Sequence, residues 1–177
     1  GGLMKRIFAV LILLCSIFPY YAKAEELKLA ESAQSAILIE ASTGEVLFEK
    51  NVHEKKFPAS MTKMMSMLII LESIDKGIIK WDEMVTVSAN ASSMGGSQIL
   101  LETNEQMSVS DLFKGIAVAS GNDAVVALAE KIAGTEDMFV DMMNKRAQEL
   151  GLTNTNFKNC HGLHDANHYS SAYDISI

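Results

Sequence analysis

Phe57-Pro58-Ala59-Ser60-Met61-Thr62-Lys63 opens an apolar run, Met64-Met65-Ser66-Met67-Leu68-Ile69-Ile70-Leu71, and the reading of the whole chain turns on it. Pro58 suits the first turn of a helix, where its missing N–H costs nothing and its φ is preset. Ser60 and Lys63 are three apart, so on a helix their side chains share a face. The run behind them is apolar nearly all the way round, which places the helix inside a protein rather than on its surface. A hydroxyl and an amine at the mouth of a buried helix are costly to keep there unless they are used. A serine hydroxyl is a weak nucleophile and needs a base within hydrogen-bond reach. Lysine can be that base when desolvation and the positive end of a helix lower its pKa. The free N–H groups of the first turn can also help hold an oxyanion formed at the serine's target. The pair points to an enzyme.

The S-x-x-K spacing recurs at Ser73-Ile74-Asp75-Lys76. That copy sits at the polar end of the same helix, just before Gly77, a natural helix stop. There Lys76 meets the helix's negative end, and a solvated cation makes a poor base. It reads as a chance match. Ser120-Gly121-Asn122 is the next polar feature able to serve Ser60 and Lys63. It lies in a tight turn between two helices, and a rigid turn can aim a hydroxyl and an amide at a neighbouring site. An ordinary structural use stands beside that one, with Gly121 ending one helix in the left-handed region and Asn122 capping the next. Ser88-Ala89-Asn90 repeats the S-x-N pattern at a loop entrance, so the pattern alone is cheap.

Upstream, Gly1-Gly2-Leu3 precede Met4, and Lys5 and Arg6 lead an apolar run from Ile7 to Phe18, followed by Ala22-Lys23-Ala24. A positive start, an apolar centre and an A-x-A site are the parts of a secretory signal peptide. The run is shorter than the ~20 apolar residues that a spanning helix needs. Residues 1–24 are thus expected to be a signal peptide with leading extra residues, and the protein to act outside the cytoplasmic membrane. The mature part from Glu25 is roughly 150 residues, the size of one domain. With Cys15 in the signal, it holds only Cys160, so packing rather than a disulfide framework must hold its core. A net charge of −7 argues against a nucleic-acid surface.

Ser35 to Glu40 and Val46 to Lys50 read as two strands joined by a turn in which Gly44 is free to take a positive φ. Two strands are marginal alone, and most of the chain beyond Lys50 reads as helical. Trp81 to Ser88 is short and extended, and a loop runs through Gly95-Gly96-Ser97. Ser108-Val109-Ser110-Asp111 signals a helix start, and that helix stops at Ser120-Gly121-Asn122. Further helices run from about Asp123 to Gly134 and from Thr135 to Gly151, the latter turning Phe139, Met143 and Leu150 inward. Asn156 to His168 is loop-like, and Ser171-Ala172-Tyr173-Asp174 opens another helix three residues before Ile177. A helix begun at the chain's end and two strands without partners lead to the expectation of an N-terminal part of a larger domain.

Taken together, Thr43-Gly44-Glu45-Val46-Leu47-Phe48-Glu49-Lys50-Asn51, Pro58-Ala59-Ser60-Met61-Thr62-Lys63-Met64 and Ala119-Ser120-Gly121-Asn122-Asp123-Ala124 resemble the serine D-alanyl-D-alanine carboxypeptidases. These are low-molecular-mass penicillin-binding proteins, for which S-x-x-K is a signature. Gly162-Leu163 and Tyr169-Ser170-Ser171-Ala172 extend the likeness across the mature chain, in order. The resemblance implies an α/β (α+β) fold of the β-lactamase/transpeptidase type, an antiparallel sheet with flanking helices and a helical subdomain, here with the sheet incomplete. It implies Ser60 as the nucleophile of an acyl-enzyme, Lys63 as its general base and Ser120 in the proton relay. Asn122 would bind the peptide and orient Lys63. The implied substrate is the peptidoglycan stem pentapeptide, which loses its terminal D-alanine, and β-lactam antibiotics would acylate the same serine. No cofactor is implied. The family's K-T-G motif, which binds the substrate carboxylate, is absent. Residues 25–177 are therefore expected to be the part of the domain before that strand, and this piece alone to be inactive. A membrane-attaching C-terminal helix, common in the family, would lie beyond Ile177.

Three rival readings compete with this one. A class A β-lactamase would need a downstream E-x-x-L-N glutamate, which is missing, and Gly121 stands where S-D-N has Asp. A non-hydrolysing β-lactam sensor would normally follow transmembrane segments. Cys160-His161-Gly162-Leu163-His164-Asp165, with His168 nearby, carries zinc-binding residue types, but at no ordinary helical ligand spacing. The preferred reading there is a solvated loop with chance histidines and no metal.

Overall fold

In the computed structural model, residue 2 and residues 29–177 are described, so the signal-peptide expectation falls almost wholly outside the described residues. Strands β1 (Ala36–Ile39) and β2 (Val46–Lys50) pair antiparallel, Ala36 opposite Lys50, with a register shift between Leu38 and Ile39. Their turn is closed by Glu40, whose carboxylate accepts from the N–H and hydroxyl of Ser42 and from the N–H of Thr43. Those bonds, the Ser42 hydroxyl first, lower the Glu40 pKa to about 2. Gly44 takes φ +74°, as the turn requires.

The Ser60 stretch forms a 3-10 turn, Ala59–Met61, that leads into α1 (Thr62–Asp75). Next come β3 (Met84–Thr86), the short α2 (Ala89–Ser92) and β4 (Gln106–Ser108). β3 and β4 form a second antiparallel pair, Met84 opposite Ser108, separate from the first. The sequence expectation covers β3 but not β4, which is three residues long, too short for its alternation to announce a strand. Ser88, expected at a loop entrance, caps α2 by accepting from the N–H of Ala91 at 2.9 Å.

The helix starts follow the sequence closely. Ser108 caps α3 (Val109–Ala119), Thr135 caps α5 (Glu136–Glu149) and Ser171 caps α6 (Ala172–Ile175), each accepting an N–H three residues on. Between α3 and α5 runs α4 (Asn122–Ala133), whose residues Ala124 to Ala129 are all buried. Its small side chains let α1, α2, α3, α5 and β3 all pack against it. The centre of the core is therefore α4 and not the Ser60 helix. α1 is buried on one face only, with Met64 51% exposed and Leu71 also exposed. Its buried face carries Thr62, Lys63, Ser66 and Ser73 among the apolar residues.

Candidate active site

Three features hold Ser60 at the surface while burying its neighbour. Pro58 is buried at φ −76°, and Ala59 takes φ +47°, a left-handed conformation that costs a non-glycine residue about 1 kcal/mol. The constraint comes from Gly162, at φ +94°, packed so closely that a Cβ on it would lie 1.9 Å from the Ala59 carbonyl oxygen. The carbonyl has one place to go, and the kink sets Ser60 exposed at the head of α1.

One turn on, Lys63 is 3% exposed. Its Nζ donates to the Ser60 Oγ at 3.4 Å and to the His161 carbonyl at 2.8 Å. Burial pushes the Lys63 pKa below its ordinary value; the opposing influence is a thiolate at Cys160. Burial, and then Glu136, hold Cys160 well up in its neutral thiol form, so at neutral pH the thiol does little to offset the desolvation of Lys63. A buried amine of lowered pKa touching an exposed hydroxyl has the geometry that a nucleophile and its base need, and 3.4 Å is within the looser range of an unliganded site. The second S-x-x-K copy has no such geometry: Ser73 Oγ donates to the Ile69 carbonyl at 2.7 Å, and Lys76 pairs with Glu72.

In the second motif the left-handed residue is Ser120, at φ +57°, and not Gly121, at φ −60°. Gly121 is needed for space, because a Cβ there would meet Asp123 Oδ1 at 3.0 Å and Ala124 and Ile99 at 3.3 Å. Asn122 is the first residue of α4 rather than its cap. Its Nδ2 donates to the Gly95 carbonyl at 2.7 Å, and its N–H to the Ser97 carbonyl at 2.7 Å. Ser120 Oγ and Asn122 Oδ1 are buried without a hydrogen-bond partner among the described residues, an expensive state that a bound ligand could relieve. Asp123, which the sequence reading passes over, gathers the N–H groups of Ile99 and Leu101 and so fixes the loop that Asn122 holds from the other side. The two motifs meet through residues 162–163: Gly162 abuts Ala59, and Leu163 lies beside Gly96, which abuts the Asn122 amide.

The histidine segment overturns the expectation of a solvated loop. His161 and His168 are buried, and their ring nitrogens are committed. His168 Nδ1 accepts from the Lys158 N–H at 3.0 Å, and its Nε2 bonds the Thr62 hydroxyl at 2.7 Å. His161 Nδ1 accepts from the Leu163 N–H at 3.1 Å, and its Nε2 lies 3.4 Å from Glu136. His164 stacks edge-on against Phe57. These contacts clamp the segment to the Ser60 turn, a long-range event that no local pattern encodes.

The family model for D-alanyl-D-alanine carboxypeptidases matches residues 22–177. The chain is 54% identical to D-alanyl-D-alanine carboxypeptidase DacF of Bacillus subtilis, over 98% of this chain and 46% of that protein. Among solved structures, penicillin-binding protein 5 of Haemophilus influenzae superposes with a TM-score of 0.78 at 43% identity, over 81% of this chain and 42% of that one. Penicillin-binding protein D2 of Listeria monocytogenes, solved in an ampicillin-bound form, superposes with a TM-score of 0.72 at 28% identity, over 82% and 59%. The chain thus spans about half the length of the relatives it matches.

Proposed function

The chain belongs to the D-alanyl-D-alanine carboxypeptidase family, and from that premise we propose that the whole protein removes the terminal D-alanine from peptidoglycan stem pentapeptides through an acyl-enzyme on Ser60. The observation that carries this reading is the contact of the exposed Ser60 hydroxyl with the buried Lys63 amine, whose pKa burial lowers. Neutral Lys63 takes the Ser60 proton as Oγ attacks the penultimate D-Ala carbonyl. The C–N bond breaks and the leaving amine of D-alanine gains a proton, with Ser120 in the relay. Water then releases the shortened stem and restores the serine. Asn122, anchored by the Gly95 and Ser97 carbonyls, keeps Oδ1 free to accept from an amide of the peptide. β-Lactams would acylate Ser60 in the same way. The site works at the outer face of the cytoplasmic membrane, in line with the sequence reading of residues 1–24. Attachment through a C-terminal helix, and residues 25–177 as the part of the domain that precedes the K-T-G strand, belong to the same proposal.

Intact-mass spectrometry of the full-length protein after penicillin treatment tests it. A covalent adduct on the wild type that is missing in Ser60→Ala, with D-alanine released from a pentapeptide, is the expected result. A stable adduct without D-alanine release would favour a sensor. No adduct on folded wild-type protein would refute the acyl-enzyme.

A further inference from the structure

Behind Lys63 lies a set of buried polar groups that acyl transfer at Ser60 leaves unused. Lys63 and Ser66 share the buried face of α1 and donate to two consecutive carbonyls, Nζ to His161 at 2.8 Å and Oγ to Cys160 at 2.6 Å. Through their N–H and ring groups, the same two residues, Cys160 and His161, are held by Glu136, the first residue of α5. Its Oε1 accepts the Cys160 N–H at 3.1 Å and lies 3.4 Å from His161 Nε2. Since His161 Nδ1 accepts the Leu163 N–H, Nε2 is the nitrogen that carries the proton in the neutral ring, and it faces Glu136. Asn159 Oδ1 accepts the Gly162 N–H at 2.6 Å, and Gly162 is pressed against the Ala59 carbonyl. The segment 160–162 is therefore gripped by α1, by Glu136 and by the Ser60 turn at once.

We propose that Glu136 is a positioning residue for the Ser60–Lys63 pair, acting through Cys160 and His161 to fix the His161 carbonyl against the Lys63 amine. A lysine amine sits on a flexible stem and rotates freely. To take a proton, its lone pair must face the Ser60 Oγ. An N–H pinned by the His161 carbonyl removes most of that freedom, and it can do so only if the carbonyl itself does not move. From α1 come only the bonds to the two carbonyls; the Cys160 N–H and the His161 ring are held by Glu136. The inference rests on the reading of Ser60 as nucleophile and Lys63 as base, and adds a residue that touches neither of them.

The test is acylation of the full-length protein by a fluorescent penicillin, followed to completion over a range of concentrations. This separates the non-covalent binding constant, the maximum acylation rate and the fraction of molecules labelled. Glu136→Ala is expected to lower the maximum rate by roughly tenfold to a hundredfold, the scale of an ångström-sized misplacement, with binding and labelled fraction unchanged. Glu136→Gln keeps an oxygen that can accept both bonds and is expected to recover most of the rate. A wild-type rate in Glu136→Ala overturns the proposal. So does a loss confined to the labelled fraction and the melting temperature, which is what a merely structural role would give, and so does a Gln variant as slow as the Ala variant. Labelling of Ser60→Ala at the wild-type level would instead show that the acyl-enzyme reading itself has failed.

Discussion

Acid should weaken this protein through one buried histidine. His168 is 2% exposed and wedged between the Lys158 N–H, which Nδ1 accepts, and the Thr62 hydroxyl on the turn that carries Ser60. A proton on Nδ1 would set two N–H donors against each other in a dry site. Burial is the main reason that its pKa falls from 6.5 to about 4; a charge on His161 lowers it further, and Asp165 works the other way. Between those two pH values the unfolded chain binds a proton that the native chain refuses, so stability rises with pH across that window. Stability is intact above pH 6.5, declines as pH falls, and has lost its full increment below about pH 4. At about 1.4 kcal/mol per pH unit, the gap amounts to about 3 kcal/mol, a large share of a domain's usual ~5–15 kcal/mol.

Urea unfolding at about pH 7.5, 5.5 and 4, with wild type and His168→Asn side by side, measures that increment. Asparagine offers an oxygen near the place of Nδ1, so the Lys158 N–H keeps an acceptor while Thr62 loses its partner. The variant should be less stable than wild type near neutrality by about 1–3 kcal/mol. Its pH dependence should be flatter by about 3 kcal/mol, so that the two curves converge or cross as pH falls. His161, whose pKa burial also lowers, remains in both chains and largely cancels in the difference. Parallel pH profiles for the two proteins would refute the reasoning, since the increment would then belong to other groups.

Other substitutions probe the remaining joints. Lys63→Arg keeps a cation but cannot give it up, so acylation by penicillin should fall by at least ~100-fold. In the wild type the acylation rate should climb with pH toward a plateau reached below the ordinary lysine value of 10.5, because the base must be neutral. An Arg variant that acylates normally would remove Lys63 from the base role. Gly162→Ala puts a Cβ onto the Ala59 carbonyl at φ +94°, and should cost about 2 kcal/mol or more and lower the melting temperature by several degrees; an unchanged melting temperature would mean that the turn is looser than its geometry. Asp123→Ala strips the Ile99 and Leu101 N–H groups of their acceptor, at a cost on the order of 3 kcal/mol. Hydrogen exchange at those two amides should speed up well before the core opens, and exchange that accelerates only with global unfolding would count against a separately anchored loop.

How much of the structure is legible in the sequence depends on the range of each interaction. Ser60 and Lys63 are legible because three residues of helix suffice to bring them together. The caps at Ser108 and Ser171 and the β1–β2 turn are equally local. β4 escapes because its three residues are a strand only by virtue of Met84 to Thr86 lying opposite. Gly121 suggests a left-handed turn that Ser120 makes instead, because glycine's two uses, torsional freedom and absence of bulk, look alike in a sequence. The histidines mislead for a related reason: a loop is buried or solvated according to what packs on it, and here that is a turn far back in the chain. The carboxypeptidase motifs thus name the groups proposed to do chemistry, whereas the residues packed around them, Gly162, His161 and Glu136, reach the Ser60 turn and Lys63 only in three dimensions. A serine and a lysine at helical spacing are common. What distinguishes this pair is that the amine is desolvated and held by a carbonyl from another part of the chain, the setting that the proposed base role of Lys63 calls for.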